Sequence, residues 1–171
     1  WHNVRLDAFT FGFTKEYILA HQPKVMYVAL GETDDFAHQG NYPEYLLGAN
    51  RADKFIAQLW TLLQSMEQYQ NNTNLIITVD HGRGDSAQSW QHHASPKAVK
   101  GYLNGLKQYQ DGIPGADQIW LAAMGPDVKE SVGSQQTSNF TLDQVAATAV
   151  QFLGFDYQQF ATDIGHPLPI I

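Results

Sequence analysis

The sequence predicts an α/β fold, a mostly parallel sheet with helices on both faces. Three observations carry that expectation. Short apolar runs at 24–30, 74–79 and 118–124 read as buried strands. Segments with helical apolar spacing lie between and around them. The two densest Asp/His clusters each follow directly on one of these runs, and sites in parallel sheets lie beyond the carboxyl ends of the strands.

Phe9 to Gln22 has apolar residues at helical spacing and stops before Pro23, which disfavours helix in the residue ahead of it. Lys24 to Leu30 is the first strand, and Gly31 to Gly40 the loop that follows. From Tyr42 to about Gln70 a long helix sets Leu46, Phe55, Leu59, Leu62 and Met66 on one broad face, with a start loosened by Gly48. Asn71 and Asn72 end it. Asn74 to Val79 is the second strand, and Gly82 to Ala94 a polar loop. Ser95 to Gly112 opens with Ser-Pro, an N-cap followed by a first-turn proline, and keeps Val99, Leu103 and Leu106 at helical spacing. Gln118 to Met124 is the third strand, closed by Gly125-Pro126. Asp127 to Asn139 reads as irregular, Thr141 to Leu153 as a last helix stopped by Gly154, and 165–169 as an extended tail.

At 171 residues the expectation is one domain over 1–171, large enough to fold without disulfides, and there is no cysteine. A net charge of −7 with no basic run argues against nucleic-acid binding. No apolar run approaches the roughly 20 residues that span a bilayer. The chain opens on Trp1 without a signal-peptide pattern, so we expect a processed product or a piece of a longer protein. The sequons at Asn71 and Asn139 are short enough to arise by chance.

The chemistry sits in Gly31-Glu-Thr-Asp-Asp-Phe-Ala-His38, in Asp80-His-Gly-Arg-Gly84 and in Trp90-Gln-His-His93. Aspartates and histidines held close and dry need a partner, and a divalent ion provides one. Asp34 and His38 are four apart, so one helical turn would bring them to a shared ion, with His93 as the best third ligand. Asp80 and His81 would face a second. Oxygen and nitrogen donors favour zinc first and manganese next. Alone, Asp-x-x-x-His is commonly an exposed helix pair and Asp-His-Gly a turn; together at two strand ends they point to metal. His2, His21 and His166 read as surface residues.

These motifs, with Ile113-Pro-Gly-Ala-Asp-Gln-Ile-Trp-Leu-Ala and Thr141-Leu-Asp-Gln-Val-Ala-Ala-Thr, resemble the C-terminal half of the alkaline phosphatase superfamily. The nearest branch is that of phosphodiesterase/nucleotide pyrophosphatase and sulfatase-like proteins. The likeness runs from about Pro23 to Leu168 and departs at 95–112, which reads as a helical insertion. It implies that this chain is the C-terminal portion of a larger metallo-hydrolase domain, whose N-terminal half would be its partner. It also implies two divalent ions, one held by Asp34, His38 and a later histidine, the other by Asp80 and His81. Trp-x-x-His selects His93 over His92 for the later histidine, although the family has His-Gly where this chain has His93-Ala94.

The implied reaction is hydrolysis of a small phosphate mono- or diester or a sulfate ester, with the ions clamping attacking and leaving oxygens. Arg83 would contact a non-bridging oxygen or partner Asp85, and Glu32 and Asp35 would orient ligands. The Ser, Thr or modified-Cys nucleophile and a further aspartate would precede Trp1, so the chain alone is expected to be inactive, binding one ion well and a second poorly. A non-catalytic metal-binding or structural fragment and a phosphomutase of the same superfamily are the alternatives. Ester scavenging by such enzymes points to a periplasmic or secreted protein.

Overall fold

A computed structural model describes residues 5–130, 140–161 and 163–170. His2 and Asn139 lie outside the described residues. The chain forms two compact units, Trp1–Ser65 with His81–Gln118, and Met66–Asp80 with Ile119–Ile171.

The first unit is helical. Helix α1 (Asp7–His21) buries Asp7, Phe11, Thr14 and Ile18, a spacing of four, three and four that defines one face. It ends at Gln22 in the left-handed conformation, whose N–H closes on the Ile18 carbonyl. Helix α2 (Glu32–His38) occupies most of the segment expected to be a loop. Helix α3 (Tyr42–Gln64) starts at Asn41, whose side chain accepts from the Glu44 N–H, with Pro43 in its first turn. It ends earlier than the apolar pattern suggests, because the Ser65 hydroxyl donates to the Leu62 carbonyl and the chain turns away. Phe11 stacks on Phe55 at 4.4 Å, joining α1 to α3. Gly48 does not loosen α3: it is buried where α2 packs, and a Cβ there would press on Thr33 Cγ2 at 3.3 Å.

The 95–112 segment is helical, as α4 (Pro96–Gly101) and a 3₁₀ segment (Asn104–Tyr109). The Ser95 side chain caps α4 by accepting from the Ala98 N–H. Val99, Ile113 and Ala94 form a small core, with Leu103, Leu106 and Tyr109 packed against it.

The second unit holds β1 (Leu75–Thr78), β2 (Leu121–Met124) and α5 (Asp143–Phe152). The strands pair antiparallel, Leu75 opposite Met124 and Thr78 opposite Leu121. The expected mostly parallel sheet is therefore not what the described residues form. Parallel strands need both faces covered. Strand β2 instead alternates half-buried and exposed residues, the pattern of a sheet with one wet face. The run 24–30 forms no strand and joins no sheet among the described residues, with Val25 58% and Tyr27 89% exposed. An apolar run shows a tendency to be buried; it does not supply the neighbour that must complete its backbone hydrogen bonds.

Helix α5 starts where Gln144 Oε1 accepts from the Thr141 N–H, half of a capping box, and stops at Gly154 with φ +77°. The tail returns along it. Leu168, fully buried, donates its N–H at 2.8 Å to Thr148 Oγ1, which itself donates to the Gln144 carbonyl. Replacing Thr148 by Val keeps the shape and removes the acceptor, leaving a buried N–H unpaired. Thr148→Val should cost about 1–3 kcal/mol. Thermal melting would read the loss, together with faster amide exchange at Leu168; unchanged exchange there would count against this account.

Candidate metal centre

Two buried carboxylates fix the approach of α2 to α1. Asp7, 2% exposed, accepts from the Gly31 N–H at 2.8 Å and from the Glu32 N–H at 3.4 Å. Glu32, 7% exposed, returns the bond by accepting from the Asp7 N–H at 3.1 Å. Each acid thus satisfies free N–H groups at the start of the other's helix. Arg51 from α3 neutralises the pair through Glu32 Oε2 at 2.9 Å. Burial, more than the neighbouring Glu32 charge, raises the Asp7 pKa, and the bond from Gly31 only partly offsets it. Glu32, expected to orient a ligand, is therefore committed elsewhere. The role of Asp7 escaped the sequence reading, although an acid in the first turn of a helix is a signal for it.

Because 32–38 is helical, Asp34 and His38 stand one turn apart, with Oδ1 and Nε2 at 3.5 Å. The segment after His81 reaches them through close backbone packing. The Gly82 N–H donates to the Ala116 carbonyl, and a Cβ at Gly82 would overlap the carbonyls of Gly115 and Gln118. The Gly84 N–H donates to the His92 carbonyl, and a Cβ at Gly84 would overlap Ser89. Trp90 meets Tyr42 edge-on at 5.2 Å and Tyr45 at 6.0 Å, seating the loop on the start of α3. The Ile113 N–H donates to the Ala94 carbonyl, so the 95–112 helical segment braces the loop just after His93.

The result is convergence on one oxygen. Around Asp34 Oδ1 stand His38 Nε2 at 3.5 Å, His93 Nε2 at 3.5 Å and His81 Nε2 at 3.8 Å. His38 Nε2 and His93 Nε2 are 3.2 Å apart, and the rings of His81 and His93 stack at 3.5 Å. The Arg83 guanidinium abuts the same oxygen as an ion pair, yet this buried oxygen accepts no hydrogen bond. Asp35 Oδ2 is likewise buried without one.

These donors suit a cation. Atoms bound to one tetrahedral ion at about 2.0–2.1 Å lie roughly 3.3 Å from one another, and the Asp34, His38 and His93 separations fall close to that. One ligand atom each from Asp34, His81 and His93 lies within 4.8 Å of the others. His81 Nδ1 is 2.9 Å from the Gly82 carbonyl, which can only accept, so Nδ1 carries the proton and Nε2 presents a lone pair in the neutral ring. His92 lies farther out, its ring 6.1 Å from that of His38. Its pKa is lowered, first by burial and then by His38 and Arg83.

Of the residues expected at two ions, Asp34, His38, His81 and His93 come together in one cluster, and His81 stands with Asp34 and His93. Asp80 is exposed and belongs to the second unit. Arg83 bonds to the carbonyls of Gln91 at 3.1 Å, Trp90 at 3.4 Å and Asp34 at 3.5 Å; Asp85 is exposed and takes none of these bonds. Burial lowers the Arg83 pKa.

A family model described as type I phosphodiesterase / nucleotide pyrophosphatase matches residues 2–112, a stretch that includes all of these side chains and runs through 95–112. The likeness seen in the sequence beyond 112 lies outside that match. No curated protein and no solved structure matches the chain.

Two substitutions test how the centre is held. Asp7→Ala leaves two helix N–H groups without their acceptor and should cost about 1–2 kcal/mol. Asp7→Asn keeps an acceptor and removes the buried charge. A carboxyl with a raised folded pKa favours folding most below its unfolded value of 3.8, and that benefit is lost as pH rises through the folded value. The melting temperature of Asp7→Asn relative to the unchanged chain should therefore climb between about pH 3 and pH 7. A flat difference would contradict this. Gly82→Ala should destabilise the first unit by about 1–3 kcal/mol through overpacking against two carbonyls, read by denaturant unfolding.

Proposed function

Because the chain belongs to the type I phosphodiesterase / nucleotide pyrophosphatase family of the alkaline phosphatase superfamily, we propose that it supplies the metal-ligating side chains of a two-metal hydrolase of small phosphate or sulfate esters. One observation carries this reading: four side chains from α2 and from the segment after His81 meet at a buried carboxylate oxygen that accepts no hydrogen bond. Asp34, His38 and His93 would hold the first ion, with zinc the best fit to one carboxylate and two imidazoles and manganese the next. His81 stands beside that set and is our candidate for the second ion.

When bound, divalent ions polarise the ester oxygens and make an attacking water more acidic. The chain's own contribution is orientation and charge. Asp34 brings the anion that attracts a cation, and the Gly82 carbonyl fixes the His81 tautomer. Asp34 and Asp35 stand next to each other in one short helix. Such a surface repels an anionic ester until cations mask it. An alkaline phosphatase-like sheet, completed by further strands, is the architecture we propose for the whole domain. We place the activity in the periplasm or outside the cell, where ester scavenging is chemically useful.

Calorimetric titration with zinc tests the reading. We expect one tight site and a weaker second. Asp34→Asn and His93→Gln should each weaken the tight site about tenfold or more, and His166→Gln should leave it unchanged. No tight site, or equal affinity in all variants, would remove the metal centre. Two tight zinc sites, or turnover of an aryl phosphate by the chain alone, would contradict the expectation that the nucleophile is supplied by another segment.

A further inference from the structure

We infer that Arg83 is a positioning residue, which pins the loop carrying His92 and His93 to α2 and holds the Asp34 carboxylate toward the histidines. The inference rests on the metal reading of this cluster. A guanidinium presents five donors in one rigid plane. Nη1 of Arg83 donates to the carbonyls of Trp90 and Gln91, the two residues just before His92-His93. Nη2 donates to the Asp34 main-chain carbonyl and abuts Asp34 Oδ1. One largely buried side chain therefore spans from the histidine loop to the carboxylate at the centre of the cluster.

Arg83 is also, among the described residues, the one permanently charged group against that oxygen; the other contacts are imidazoles. An oxygen shielded from solvent is held in place by such a charge. An arginine that grips an ester would turn its fork outward, and this one turns it onto three main-chain carbonyls of its own protein. Lysine could return the charge. It could not bridge Trp90, Gln91 and Asp34 at once, because its single nitrogen lacks the planar fork.

Cobalt(II) titration of the unchanged chain, Arg83→Gln and Arg83→Lys provides the test, read by the visible spectrum of the bound ion and by the metal-free melting temperature. Arg83→Gln should lower the metal-free melting temperature by about 5 °C, weaken cobalt binding about tenfold or more and alter the spectrum. Arg83→Lys should recover part of the affinity but not the original spectrum. An unchanged spectrum and affinity in Arg83→Gln would overturn the inference. So would intact cobalt binding combined with lost binding of inorganic phosphate to the cobalt-loaded chain, which would make Arg83 a substrate contact. If Arg83→Gln does not fold, Arg83→Lys decides alone: an altered spectrum supports the inference, and the original one overturns it. The unchanged chain developing no cobalt spectrum is a different failure, that of the metal centre itself.

Discussion

A carboxylate oxygen buried without a hydrogen bond is the constraint around which the first unit is organised. Such an oxygen is costly unless positive charge stands against it. Asp34 Oδ1 meets this cost by gathering Arg83 and the Nε2 atoms of His38, His81 and His93. Most features of the surrounding chain can be understood as means of bringing those groups to one point. They come from α2 and from residues about fifty positions later, so the assembly depends on tertiary packing.

Two supports make that packing specific. On one side, Asp7 and Glu32 cap each other's helices, and Arg51 ties them to α3. The angle of α2, and with it the position of Asp34 and His38, follows from that exchange. Gly48 lets α2 approach α3 closely. On the other side, Gly82 and Gly84 allow the later segment to run against backbone carbonyls where no side chain would fit. Trp90 on Tyr42 and Tyr45, and the core around Val99 and Ile113, hold the ends of that segment. Arg83 joins the two sides across the middle.

This arrangement explains how an acidic chain can belong to a family acting on phosphate esters. Its acidic residues are placed either where backbone N–H groups and Arg51 absorb the charge, as with Asp7 and Glu32, or where cationic and lone-pair groups converge, as with Asp34. The first kind holds the fold together. The second gives a cation a reason to bind.

What the sequence by itself determined is local. The helical spacing of apolar residues in 9–22, the Ser95 cap, the stop at Gly154 and the four-residue interval from Asp34 to His38 are each set within a turn or two of chain. The helical character of 95–112 was legible in the same way, and the motifs also pointed to the family. Tertiary structure alone decided the rest. Whether 24–30 pairs, and whether β1 and β2 run parallel or antiparallel, depends on which strand supplies the hydrogen-bonding partner, and an apolar run carries no such information. The reach of His81 to Asp34, and of Arg83 to the carbonyls before His92, depends on where a glycine-rich loop crosses a helix far away in sequence. Periodicity reports what a residue is near along the chain; these contacts join residues that only folding brings together.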